Sequence, residues 1–166
     1  MKLLMIIGLA MLFIVGPILM LRPSPRERRL ARIRLLAQQR RVRVQTLFLR
    51  KDAHYSATLE RNPHLGDFTW SRYQLVGNEN QTGPSIKGTW VQRKTPEGRL
   101  VWEAQDVRQQ SNAVIDAVLA RWEQAQQPDF LALELGPRSV SIVWNEKGDS
   151  AETEALCLQL EELMTA

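Results

Sequence analysis

Val42-Arg43-Val44-Gln45-Thr46-Leu47-Phe48-Leu49 decides the fold, because the spacing of apolar residues changes there from helical to alternating. Val42, Val44, Thr46 and Phe48 fall on one side of the chain and Arg43 and Gln45 on the other, which predicts a strand over residues 42–50 with one face buried. The segment before it has a different period. Leu30, Ile33, Leu36 and Ala37 share one arc of a helix, with Arg32 and Arg34 at the edges of that arc. Ser24-Pro25-Arg26-Glu27 marks where this helix begins: Ser24 as N-cap, Pro25 at the first helical position, and Glu27 placed to return a capping-box bond. It is expected to run to about Arg40.

Further upstream, residues 3–21 are 19 consecutive uncharged residues rich in Leu, Ile and Met. At about 1.5 Å per residue a helix of that length reaches roughly 29 Å, the thickness of a bilayer's hydrocarbon core. The chain after it, Arg22-Pro23-Ser24-Pro25, offers no small-residue cleavage site, so residues 1–21 are expected to be a retained transmembrane anchor. Three parts follow from this reading: the anchor over residues 1–21, a basic juxtamembrane helix over 22–41, and a soluble α+β domain over 42–166.

Charge divides the chain along the same lines. Residues 22–51 hold 11 basic residues against Glu27 alone, a charge of +10, whereas residues 52–166 hold 10 basic and 17 acidic residues, a charge of −7. Eight arginines follow the apolar run within residues 22–41, and only Lys2 and the α-amine precede it, an imbalance that predicts a cytoplasmic C-terminal domain. Arg22, Arg26, Arg28, Arg29, Arg32 and Arg34 are the candidate contacts to anionic lipid head groups, each worth roughly 1 kcal/mol at a membrane surface. Nucleic acid is disfavoured as a partner because the acidic domain would repel phosphates. The single cysteine, Cys157, cannot form an internal disulfide, which suits a reducing compartment.

Downstream of residue 50, the stretch 51–66 shows no clean period and reads as a long connection, with room for one helical turn. Residues 68–76, 86–94 and 99–104 read as three strands of a meander. A bulge near Arg72 would account for a phase slip, and Thr95-Pro96-Glu97-Gly98 suits a tight hairpin. The polar stretch 77–85 is expected to be an exposed loop. Val114, Ile115, Val118, Leu119 and Trp122 make the apolar arc of a helix within residues 109–126. Two strands, 130–135 and 139–146, and a final helix from about residue 149, with Leu156, Leu160, Leu163 and Met164 inward, complete the chain. The expected fold is a small antiparallel or mixed sheet of about six strands, with two helices packed on one face.

No catalytic, cofactor or metal motif emerges. His54 and His64 lack carboxylates or cysteines at ligand spacing, and Gly83-Pro84-Ser85-Ile86-Lys87-Gly88 lacks the spacing of a phosphate loop. Cys157 sits beside an apolar arc, where a thiol packs as a small hydrophobe. Ser139 and Ser141 alternate with Val140 and Ile142 as a solvated face would. Trp70, Trp90 and Trp102, on successive predicted strands, suit a shared aromatic core better than a stacking platform for bases.

The junction Ile18-Leu19-Met20-Leu21-Arg22-Pro23, followed by Arg26, Arg28 and Arg29, resembles the start of the YajC family, the small accessory subunit of the bacterial preprotein translocase. The resemblance covers about the first 30 residues. The glycine-rich strand that follows in that family is missing, because this chain continues as Val42-Arg43-Val44-Gln45. The layout is also similar to that of single-pass membrane proteins of gammaproteobacteria. These resemblances imply the inner membrane of a Gram-negative bacterium and a link to protein translocation. The resulting expectation is a membrane-tethered, non-enzymatic accessory protein with a protein partner and the anionic bilayer as its contacts. The alternative is a membrane-anchored ligand-binding or enzyme-like domain with no visible motif.

Overall fold

The structure, a computed structural model, describes Met11 and residues 23–78, 83–84, 86–106, 111–126 and 129–165. The chain divides into two compact units, Met1–Arg32 and Ile33–Ala166. The second unit takes in residues 33–41, which the sequence alone assigns to the juxtamembrane helix. Apart from Met11, the apolar run 3–21 lies outside the described residues, and among those residues no helix is long and apolar enough to cross a membrane.

Along the chain come α1 (Pro25–Gln39), β1 (Val42–Leu47), α2 (Ser56–Arg61), β2 (Trp70–Val76), β3 (Gly88–Lys94), β4 (Leu100–Ala104), α3 (Ala113–Ala125), β5 (Phe130–Gly136), β6 (Ser139–Trp144) and α4 (Ser150–Met164). The fold is α+β, and the six strands form one antiparallel sheet in the order β1-β2-β6-β5-β3-β4. This order corrects the expected meander: β2 lies between β1 and β6, and β3 lies between β5 and β4. The physical reason is composition. Phe130-Leu131-Ala132-Leu133 and Val140-Ser141-Ile142-Val143-Trp144 are buried throughout, so β5 and β6 need cover on both faces and take the middle of the sheet. The amphipathic strands flank them.

α3, α4 and residues 33–39 of α1 pack on one face. There the rings of Tyr73, Trp144, Phe130, Trp122 and Trp102 follow one another with centroids 5.2–6.2 Å apart, joining the sheet to α3. Leu156, Leu160, Leu163 and Met164 of α4 are buried, as expected, whereas Val114 of α3 is 37 % exposed and leaves the predicted arc. Burying each large side chain is worth roughly 1.5–3 kcal/mol.

The opposite face is covered as well, which the sequence did not suggest. The aperiodic stretch after β1 winds through short 3-10 turns and α2, and its Leu49 and Tyr55 pack with Leu47, Trp70, Leu131, Ala132 and Val143 into a second core. Two expectations fall with it. Ser141 is 2 % exposed and not solvated, and Trp70 lies on the face opposite Trp90 and Trp102, so the three tryptophans do not share one aromatic core. The phase slip in β2 has the same cause, since Trp70 and Tyr73 point to opposite, equally covered faces. The β2 register is unbroken, and the irregularity sits in β5 between Phe130 and Ala132. β1 stops at Leu47, leaving Phe48 66 % exposed.

Of the polar stretch 77–85, residues 79–82 and 85 lie outside the described residues, while Gly77 and Pro84 are buried. A Cβ at Gly83 would come within 2.5 Å of the Arg138 Cα, so only glycine allows the chain to pass this close to the β5–β6 turn.

Candidate functional site

The basic helix is built as its sequence dictates. At its start Ser24 Oγ accepts from the Glu27 N–H at 3.2 Å and Glu27 Oε2 accepts from the Ser24 N–H at 2.6 Å, the reciprocal capping box. The Ser24 backbone and side-chain hydrogen bonds hold the Glu27 carboxyl below the usual range. At the other end Arg41 adopts a left-handed φ of 61° and its N–H bonds the Gln38 carbonyl, which turns the chain into β1.

The arginines singled out from sequence separate into two groups. Arg22 lies outside the described residues. Arg26, Arg28 and Arg32 are exposed and Arg29 is half-buried, with the Arg28 Nε donating to the Pro23 carbonyl at 3.1 Å. Arg34 is different. Its Nε and Nη2 donate to the two carboxylate oxygens of Glu146 at 2.8 and 2.6 Å, a bidentate fork, and its Nη2 also approaches Ser71 Oγ at 3.5 Å. The Tyr73 hydroxyl donates to the same carboxylate at 2.9 Å. Arg34 is therefore committed to Glu146.

Glu146 is only 3 % exposed and is aimed inward by a left-handed turn at φ 56° after β6. Burial pushes its carboxyl up, but the hydrogen bonds from Arg34, Tyr73 and Ser71 outweigh that and hold it below the usual range. The Glu146 contact raises Arg34, and burial beside Glu146 pushes the Tyr73 hydroxyl up.

A second constellation occupies the other face of the sheet. Arg72 Nη2 donates to Glu134 Oε1 at 2.8 Å, and the Tyr55 hydroxyl donates to the same oxygen. Arg72 Nε stands 2.8 Å from Glu134 Oε2 without forming a hydrogen bond, so that contact is an ion pair only. Asp52 Oδ2 lies 3.7 Å from Arg72 Nη2. His54 Nε2 is 3.1 Å from Thr89 Oγ1, beside Glu134 on the neighbouring strand. His64 is exposed, with Nδ1 3.7 Å from Asp67 Oδ2. Among the described residues no three histidine, cysteine, aspartate or glutamate side chains converge as a metal ion would need.

Cys157 is fully buried and its thiol is pushed up to about 11 by burial, which leaves it a poor nucleophile. A cavity of about 110 Å³ opens beside α4, lined by Asp129, Phe130, Trp144, Glu152, Leu156 and Gln159. Its carboxylates are committed: Asp129 accepts from Asn145 and Glu152 caps the N-terminus of α4.

Sequence reasoning missed Glu146, Tyr73, Glu134, Tyr55 and Arg72. Arg34 and Glu146 are 112 positions apart, and the one local hint was that Arg34 borders the apolar arc of α1. Comparison with family models, with curated proteins and with solved structures finds no match to this chain.

Proposed function

We propose that this chain is a single-pass protein of the bacterial inner membrane that keeps its C-terminal domain in the cytoplasm and serves as a non-enzymatic accessory protein by binding another protein. The observation that carries the proposal is the division of arginines within α1: Arg26, Arg28 and Arg32 stand exposed close behind an apolar run of bilayer length, while Arg34 is turned to Glu146. Exposed arginine stems can lie along acyl chains while their guanidinium groups reach head-group phosphates. The resemblance of residues 18–29 to the start of the YajC family adds a link to protein translocation.

A 22–166 fragment is expected to bind vesicles containing anionic lipid, with salt-sensitive affinity. Replacing Arg26, Arg28, Arg29 and Arg32 with Gln should weaken that binding without lowering the melting temperature. Equal binding to neutral and anionic vesicles reduces these arginines to a topology signal, and a reporter at Ala166 active only outside the cytoplasm overturns the orientation. Crosslinking of the full chain in native membranes is expected to capture a protein partner. The ligand-binding alternative draws on the cavity beside Trp144, yet about 110 Å³ is well under the several hundred of an ordinary small-molecule site.

A further inference from the structure

The sheet has two edges, and the chain treats them differently. At β4 the outward backbone groups are occupied: the Leu100 N–H donates to Gln126 Oε1 at 3.0 Å, Gln126 Nε2 donates to the Leu100 carbonyl at 3.2 Å, and the Trp102 N–H donates to Glu123 Oε1 at 2.7 Å. Side chains from the end of α3 thus stand where a seventh strand would add, a common way of closing an edge. At β1 the strand pairs with β2 on one side, and among the described residues nothing bonds its other side. Arg43 is exposed on this strand and Arg41 immediately before it, and among the described residues neither has an acidic partner. At the opposite end of the same edge Phe48 is 66 % exposed, with the Lys51 Nζ 5.6 Å from its ring centroid.

We infer that the β1 edge accepts an extended segment of a partner protein by strand addition, acidic where it meets Arg41 and Arg43 and apolar where it meets Phe48. Backbone hydrogen bonds supply the attachment and the two ends supply the specificity. Five residues separate Arg43 from Phe48, about 17 Å in a strand, so the acidic and apolar groups of the incoming segment must be about five residues apart. This inference rests on the protein-binding part of the function proposed above.

The probe is an end-blocked, fluorescent nine-residue peptide of alternating threonine and valine, with two glutamates at one end and a phenylalanine five residues away. It is titrated against the full chain in detergent micelles. Saturable binding and slowed amide exchange in β1 are expected. Methylating alternate peptide nitrogens of the probe, exchanging its glutamates for lysines, or making Arg41→Glu with Arg43→Glu should each weaken binding at least about tenfold. The charge-reversed chain should keep its melting temperature, since both side chains are exposed. Equal binding of the methylated probe, or no effect of charge reversal, overturns the inference. Sedimentation showing a dimer that Arg43→Glu dissociates overturns it too, by making the occupant a second copy. Crosslinks in native membranes that survive charge reversal while the peptide is lost sink the edge as the partner site and leave the accessory function standing. If the wild-type chain crosslinks to no protein while the peptide still binds, the accessory function fails and the strand addition does not.

Discussion

Each face of the sheet holds an arginine, a glutamate and a tyrosine in hydrogen-bond contact, and the two sets differ in how far water reaches the carboxylate. On the helix face Glu146 has 4 % of its side chain exposed and meets Arg34 at 2.6 Å, and on the other face Glu134 has 17 % exposed and meets Arg72 at 2.8 Å. The arginines run the other way, with Arg34 34 % and Arg72 20 % exposed in the side chain, so the contrast lies in the carboxylates. A charge in a nearly dry site loses most of its hydration and depends on its partner, and removing that partner is strongly destabilising. A charge that still reaches water is cushioned by it. The two arginines also tie down different things. Arg34 fastens residues 33–39 to the sheet, and Arg72 fastens the aperiodic segment that carries Asp52 and Tyr55.

The comparison breaks most visibly on truncation. A 42–166 fragment keeps the whole Arg72 set but loses Arg34, together with Ile33 and Ala37, both fully buried. Losing the Ile33 burial and orphaning Glu146 should together cost upwards of about 5 kcal/mol, a large share of the stability of a small domain. Denaturant unfolding of 42–166 against 24–166 is the measurement. Equal midpoints would mean that the boundary lies at Val42, as the sequence alone had placed it.

Next in size is Arg34→Met, which strands Glu146 and should cost about 3–5 kcal/mol. Adding Glu146→Gln to it should restore much of that, because the unpaired charge is gone, and a double-mutant cycle reads the coupling. The same carboxylate sets a pH dependence. Glu146 is held below its unfolded value, so its pairing adds stability above about pH 4.3, and the addition is lost as the pH falls through the lower folded-state value. Wild type should therefore lose stability more steeply below about pH 4 than Glu146→Gln does, and parallel acid titrations would contradict this.

Arg72→Met is the matched test on the wetter face and should cost about 1–2 kcal/mol, less than the Arg34 effect, because Glu134 keeps access to water. If the two costs were equal, sealing would not be what distinguishes the faces.

What was legible in the sequence is whatever depends on near neighbours. The Ser24–Glu27 box and the Gly98 turn at φ 87° each span four residues, and the helical arcs repeat within single turns, so local spacing revealed them. Strand order was not legible, because β2 finds β6 more than sixty positions away and no local period encodes that pairing. The second core hid for a related reason: residues 49–67 fold into short turns whose lone buried side chains, Leu49 and Tyr55, make no repeat. Arg34 showed how one position can suit two environments. At the edge of an apolar arc an arginine is placed equally well for acyl chains or for a carboxylate on the sheet, and only the fold brings Glu146 to it.

The smallest expected effect concerns His54, the residue of the wetter face with the most chemical potential and the weakest attachment. Its Nε2 meets Thr89 Oγ1 at 3.1 Å and its ring stands edge-on to Tyr55 at 5.2 Å, yet the residue is exposed. The backbone around it is held independently, since the His54 N–H donates to Asp52 and its carbonyl accepts from Gln105 Nε2 at 2.8 Å, contacts that survive loss of the ring. His54→Ala should therefore cost about 0.5–1 kcal/mol, the worth of one exposed hydrogen bond and a ring edge. A loss as large as that of Arg72→Met would show that His54 belongs to the Arg72–Glu134–Tyr55 set as a fourth member and that this face is drier than Glu134 suggests. No loss at all would mean that the contacts to Thr89 and Tyr55 add nothing to stability, which would leave the His54 ring free to meet another molecule.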